Sequence, residues 1–95
     1  MHGVVRRYEG ASALGDAMLE NEEDVRQLLS SVNGFVAYYA VRSADSVATI
    51  TICRNESGTT ESTRRAAEWV KERNISIGSG STPQVTEGEV FIQIV

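Results

Sequence analysis

Residues 35–53 read FVAYYAVRSADSVATITIC, in which two runs of β-branched and aromatic side chains, 35–41 and 47–53, flank the short polar segment Arg42-Ser43-Ala44-Asp45-Ser46. A polar break of this length between two strand-forming runs predicts a β-hairpin. Upstream, Leu14, Ala17, Met18, Val25, Leu28, Leu29 and Val32 recur at helical spacing and predict a helix over 14–32. The stripe lapses at 21–24, where a bend or a break into two pieces is expected, and Asn33-Gly34 closes the helix. A short strand over 4–8, ended by Glu9-Gly10, precedes it.

Downstream of the hairpin the order repeats. A turn cluster at 55–58 leads into a helix over 59–73, with Glu61 in its first turn and Lys71 and Arg73 in its last, as the helix dipole favours. Thr63, Ala66, Ala67 and Val70 form its inward stripe. A Gly/Ser-rich connector over 75–83 holds the only proline, and an apolar strand over 90–95 ends the chain. Strand, helix, strand, strand, helix, strand is the α+β ferredoxin-like βαββαβ pattern: a four-stranded antiparallel sheet with two helices on one face. The 95 residues form one domain, 1–95.

Two helices cover one sheet face only, so the residue types on the other face carry information. Ala48, Ile50 and Ile52 share one parity of the third strand, and Val47, Thr49, Thr51 and Cys53 the other. The apolar set is expected under the helices, together with Phe35, Ala37, Tyr39 and Val41, and with Val90, Ile92 and Ile94 from the last strand. The second face would then carry Val36, Tyr38, Ala40, Arg42, Val47, Thr49, Thr51, Cys53, Phe91, Gln93 and Val95. A face with so few charges marks an interface or a ligand site. Two sheets packed face to face, as a two-fold homodimer, would enclose a cavity lined by hydroxyls and aromatic edges.

Thirteen acidic residues against nine basic ones give a net charge of −4, so the domain offers no basic field to nucleic acid or anionic lipid. RNA-recognition domains share the element order but need stacking aromatics on the central strands, and the third strand here has none. A single cysteine excludes an internal disulfide and fits a reducing, cytoplasmic setting. No apolar run approaches the roughly 18–20 residues of a membrane span, and residues 1–8 lack the apolar core of a signal peptide.

The segments SVATITICRNESGTTESTRRAAEWVKERN (46–74) and PQVTEGEVFIQIV (83–95) resemble small bacterial proteins of the dimeric α/β-barrel superfamily. They are most similar to uncharacterised relatives of the antibiotic biosynthesis monooxygenase group. The hairpin with its turn at 55–58, the ESTRRAAEWV helix and the VTEGEV lead into the last strand carry the likeness, over about residues 30–95. The resemblance implies a homodimer. Its superfamily holds cofactor-free monooxygenases of polycyclic quinols, haem-degrading enzymes, muconolactone-isomerase-like proteins and members without known activity. The haem-degrading branch resembles a pattern of Asn, Trp and His. This chain has Trp69 but no histidine except His2 and no asparagine in the first strand, so Trp69 is not carried over as catalytic.

The candidate ligand-binding residues are Tyr38, Thr49, Thr51, Gln93 and one of Arg6 and Arg7. Tyr38 offers a phenol to a substrate hydroxyl, with Thr49 or Thr51 facing it; its plainer role is interface packing. A guanidinium from Arg6 or Arg7 suits a carboxylate or an enolate-like anion, or else merely guards a sheet edge. Cys53 beside Arg54 reads as a buried thiol without a base. Asp16, Glu20, Glu22, Glu23 and Asp24 spread around a helix and do not converge on a metal, and no cofactor is expected. His2 reads as incidental, Trp69 as packed at a helix–sheet edge or against a partner, and Gly78-Ser79-Gly80 as a flexible connector. Three functions compete: a cofactor-free monooxygenase-like enzyme acting on a small aromatic or quinol-type molecule, a non-catalytic ligand-binding module, and a structural dimer with a filled interior.

Overall fold

The computed structural model describes residues 1–75 and 83–95; most of the expected Gly/Ser connector, including Gly78-Ser79-Gly80, lies outside the described residues. The elements are β1 (His2–Tyr8), α1 (Ser12–Glu20), α2 (Glu22–Ser30), β2 (Phe35–Ser43), β3 (Ser46–Cys53), α3 (Glu56–Glu72) and β4 (Gln84–Glu89). They form one antiparallel sheet in the order β2-β3-β1-β4 with the helices against it, the expected ferredoxin-like α+β arrangement. The lapse in the first apolar stripe is a true break. Where α1 stops, the Ala17 carbonyl accepts from both the Asn21 backbone N–H at 3.1 Å and the Asn21 side-chain amide at 2.8 Å. The predicted turn at 55–58 is instead the start of α3, because the Asn55 side chain caps it by accepting from the Gly58 N–H at 3.2 Å.

The two sheet faces are the reverse of the sequence expectation. Val4, Val47, Thr49 and Cys53 are buried under the helices, whereas Tyr39 (56% exposed), Val41 (53%) and Val5 (41%) lie uncovered. Ala48, Ile50 and Ile52 pair with Val41, Tyr39 and Ala37 and so share that open face. Tyr38, Ala40 and Arg42 therefore point to the helix side. A bulge at Phe35/Ala37 restores Phe35 to the helix side as the partner of Cys53, which breaks the simple alternation along β2. The part of α3 that meets this face carries Gly58, Thr59, Ser62 and Thr63. The Thr59 and Ser62 hydroxyls donate to the Glu56 and Gly58 carbonyls of their own helix at 2.9 Å each. Their oxygens also meet the polar strand parity: His2 Nδ1 lies 2.7 Å from Thr59 Oγ1 and Cys53 Sγ sits 3.7 Å from Ser62 Oγ, while Arg6 donates to Thr63 at 3.1 Å. His2 is thus an ordered strand residue, the cross-strand neighbour of Cys53, and not an incidental terminus.

The expectation for the last strand also changes. The fourth sheet strand is Gln84–Glu89, and residues 90–95 continue past it, tied by the Val90 N–H to the Met1 carbonyl at 2.9 Å. Phe91 (84% exposed), Ile92 (66%) and Ile94 (90%) stand in solvent, so none of the apolar set 90, 92 and 94 lies under the helices as expected.

One core cluster joins Ala11, Leu14 and Val47, with Tyr8, Met18, Val70 and Ile75 packed against it, and Val4, Leu29, Val32, Cys53 and Trp69 are buried besides. Close approach of α3 to β3 rests on Gly58, where an added Cβ would lie 2.8 Å from Cys53 Cβ and 3.2 Å from the Asn33 carbonyl oxygen. Neither neighbour is a flexible side-chain end. Gly58→Ala is expected to lower unfolding free energy by about 1–3 kcal/mol in a urea titration. Gly88→Ala, where a Cβ meets nothing within 4 Å, should change it little.

Candidate ligand-binding site

The helices do not fill the space above the sheet. A cavity of about 390 Å³ remains between them and β1–β3, within a single chain. Its floor is Arg6, Tyr8, Tyr38, Thr49 and Thr51; its roof includes Leu14, Met18, Leu28, Thr63, Ala66 and Trp69. Of the residues singled out from sequence, Tyr38, Thr49, Thr51 and Arg6 converge here. The cavity they line lies under the helices, where the sequence reading had placed one between two paired sheets. Arg7 and Gln93 do not join them. Arg7 points to the open face and pairs with Glu9 at 2.7 Å, and Gln93 belongs to the exposed segment beyond β4. Arg42 pairs with Asp16 at 2.9 Å and lies over Gly15.

Alternation explains the convergence. Tyr38 is the cross-strand partner of Thr51, and Arg6 that of Thr49, so four polar side chains from three strands share one face. Burial pushes the Tyr38 phenol up to about 12, reinforced by Tyr8 and opposed by the Thr49 hydroxyl beside it. Tyr38 is therefore a neutral hydroxyl at any physiological pH, a donor to a ligand oxygen and not a phenolate.

Trp69, which the sequence assigns to packing at a helix–sheet edge or against a partner, joins the site. It is buried and lines the cavity roof, and among the described residues its indole N–H has no hydrogen-bond partner. Such an orphan donor costs about 1–3 kcal/mol unless a ligand or water meets it. Arg73 stacks on the ring at 4.9 Å and reaches Asp24 at 2.8 Å, which holds Trp69 between α3 and α2. The signal was present in the spacing, since Ser62, Ala66 and Trp69 follow one helical face. A second, larger groove of about 740 Å³ runs along the β2 edge beside α1 and α2, and Met18, Val25, Leu29 and Tyr38 line both spaces.

The site shows no metal-binding chemistry: among the described residues no three His, Cys, Asp or Glu side chains gather closely enough to hold an ion. No described helix is long and apolar enough to cross a membrane.

No family model matches the sequence. No curated protein matches it either. Solved structures do. A protein of unknown function from Nitrosomonas europaea superposes with TM-score 0.70 at 16% identity, over 99% of this chain and 92% of that one. A monooxygenase of Streptomyces coelicolor, solved with the ligand nanaomycin D, does so with TM-score 0.70 at 16% identity, over 99% and 90%. SnoaB, a cofactor-independent oxygenase from Streptomyces nogalater, gives TM-score 0.66 at 15% identity, over 98% and 95%. The fold is thus that of the antibiotic biosynthesis monooxygenase-like proteins, as the sequence resemblance implied.

The raised Tyr38 pKa sets a sign for stability. A phenol whose folded pKa exceeds the unfolded value, near 10, keeps its proton more tightly when folded. Its contribution is complete below pH 10 and is lost as pH rises from about 10 toward 12. Thermal unfolding across that window should show a decline in wild type that is shallower in Tyr38→Phe.

Proposed function

We propose that the cavity binds a small aromatic, quinol-type molecule and that the chain acts on it as a cofactor-free monooxygenase-like enzyme. The observation that carries the reading is the lining itself: an apolar roof closed by Trp69 over a floor of hydroxyls, with no carboxylate or imidazole among the lining residues. A site without a strong base suits a substrate acidic enough to ionise by itself, as quinols are. Neutral Tyr38 and Thr49 then hydrogen-bond the substrate oxygen and fix its orientation. The substrate is the only reductant required. Its anion passes one electron to O₂, the resulting pair combines at the ring carbon as a hydroperoxide, and loss of water leaves a carbonyl. One oxygen atom ends in the product and the other in water. The monooxygenase and the cofactor-independent oxygenase that share this fold support the chemistry. With anthrone as probe, oxygen uptake should exceed the uncatalysed rate, and Tyr38→Phe should slow it by about tenfold or more. Uptake no faster than without protein would end the catalytic reading.

The same reading includes a homodimer, working in the bacterial cytoplasm. Val5, Tyr39 and Val41 leave one sheet face apolar and bare, and Phe91, Ile92 and Ile94 extend from it unpaired. A second copy of the chain covers such a face most economically, since the same patch meets itself across a two-fold axis. Light scattering over a dilution series should give twice the chain mass, and removal of residues 90–95 should shift the equilibrium toward monomer. A full-length chain that stays monomeric at micromolar concentration would overturn it.

A further inference from the structure

The charges around the cavity are distributed unlike those of the rest of the molecule. The protein carries 13 acidic residues to 9 basic, yet the cavity lining contains Arg6 and Lys71 and no acid at all. The other arginines are mostly spoken for: Arg7, Arg26, Arg42, Arg64, Arg65 and Arg73 each contact a carboxylate. Among the described residues Arg6 and Arg54 have none, and Arg54 is exposed to solvent. Residues 76–82 contain no acid that might supply one. Arg6 is thus a half-buried guanidinium on the cavity floor whose one side-chain partner among the described residues is the neutral Thr63 hydroxyl, at 3.1 Å. A guanidinium removed from water calls for an anion, and its planar fork matches two oxygens at once. Beside it stand Thr49, its cross-strand partner, and then Tyr38, both hydroxyl donors.

We infer that the cavity selects an aromatic molecule bearing an anionic oxygen group, which Arg6 receives. This rests on the cavity being the ligand site and goes beyond it by fixing the ligand's charge and its orientation: acidic end toward β1, ring under Trp69 and Met18. Thr63 holds the guanidinium from above, so the anion site is built before the ligand arrives.

The test uses two probes of one shape, 1-naphthoate and the neutral 1-naphthamide, titrated into the full-length protein at pH 7. The readout is the nitrogen–proton resonance of the indole of Trp69, the sole tryptophan. Naphthoate is expected to bind at least tenfold more tightly than naphthamide. Arg6→Gln should abolish that difference while leaving naphthamide affinity within about twofold, Thr63→Val should reduce it partly, and Lys71→Gln should leave it in place. Equal binding of the two probes, or a preference that survives Arg6→Gln or vanishes in Lys71→Gln, overturns the inference and leaves the cavity standing as a ligand site. Silence of the Trp69 resonance toward both probes overturns the inference together with the cavity reading.

Discussion

The contact between the first turns of α3 and the ends of β1 and β3 governs the rest of the structure. Gly58 allows the helix backbone to rest on Cys53, and Ser62, Thr59 and Thr63 reach Cys53, His2 and Arg6 from successive turns. The helix face there carries hydroxyls, and the polar parity of the strands lies beneath it. That arrangement leaves the isoleucines of β3 outward and places a tyrosine, two threonines and an arginine in the interior. Further along α3 the side chains change from hydroxyls to Ala66 and Trp69, and the cavity opens where the tight contact ends. The bare sheet face and the polar cavity are two results of one packing decision.

The element order and the four antiparallel strands were legible because they rest on local patterns: hydrophobic period, turn residues and loop lengths. The faces were not. Reading the more apolar parity as the buried one assumes that the helices supply the whole core, and here they do not. Tyr38, Thr49, Thr51 and Arg6 were found because their parity is shared, and parity survives an inversion of the sheet. Gln93 was misplaced because the apolar run 90–95 outshone the plainer Gln84–Glu89, whose pairing with β1 depends on backbone register and not on side-chain polarity. His2 was dismissed for its place in the chain, although strand pairing sets it opposite Cys53.

Electrostatics on the outer surface follow a different logic from the interior. Glu61 accepts from both Arg64 and Arg65, which holds its carboxyl down to about 2, and Arg64 also meets Glu68. Solvent screens such exposed pairs, so they add little to stability. Their larger effect is to occupy cations on the surface. Arg65 in addition donates to Ser31 at 2.6 Å and to the Leu28 carbonyl at 3.4 Å, closing the free end of α2.

The interruption at Asn21 divides the cavity roof between two anchorages. The start of α1 is fastened to the hairpin tip, with the Ala11 N–H on the Asp45 carbonyl at 2.6 Å and Asp16 on Arg42 at 2.9 Å. The helix α2 is fastened instead to α3, through Ser31 to Arg65 and Asp24 to Arg73. A continuous helix would have coupled these two walls as one rigid beam. The chain is instead interrupted at Asn21, with Met18 on one side and Val25 on the other, both lining the cavity. The roof above Tyr38 is therefore two separately tied walls that meet at a seam, and a substitution that loosens one set of ties leaves the other set in place.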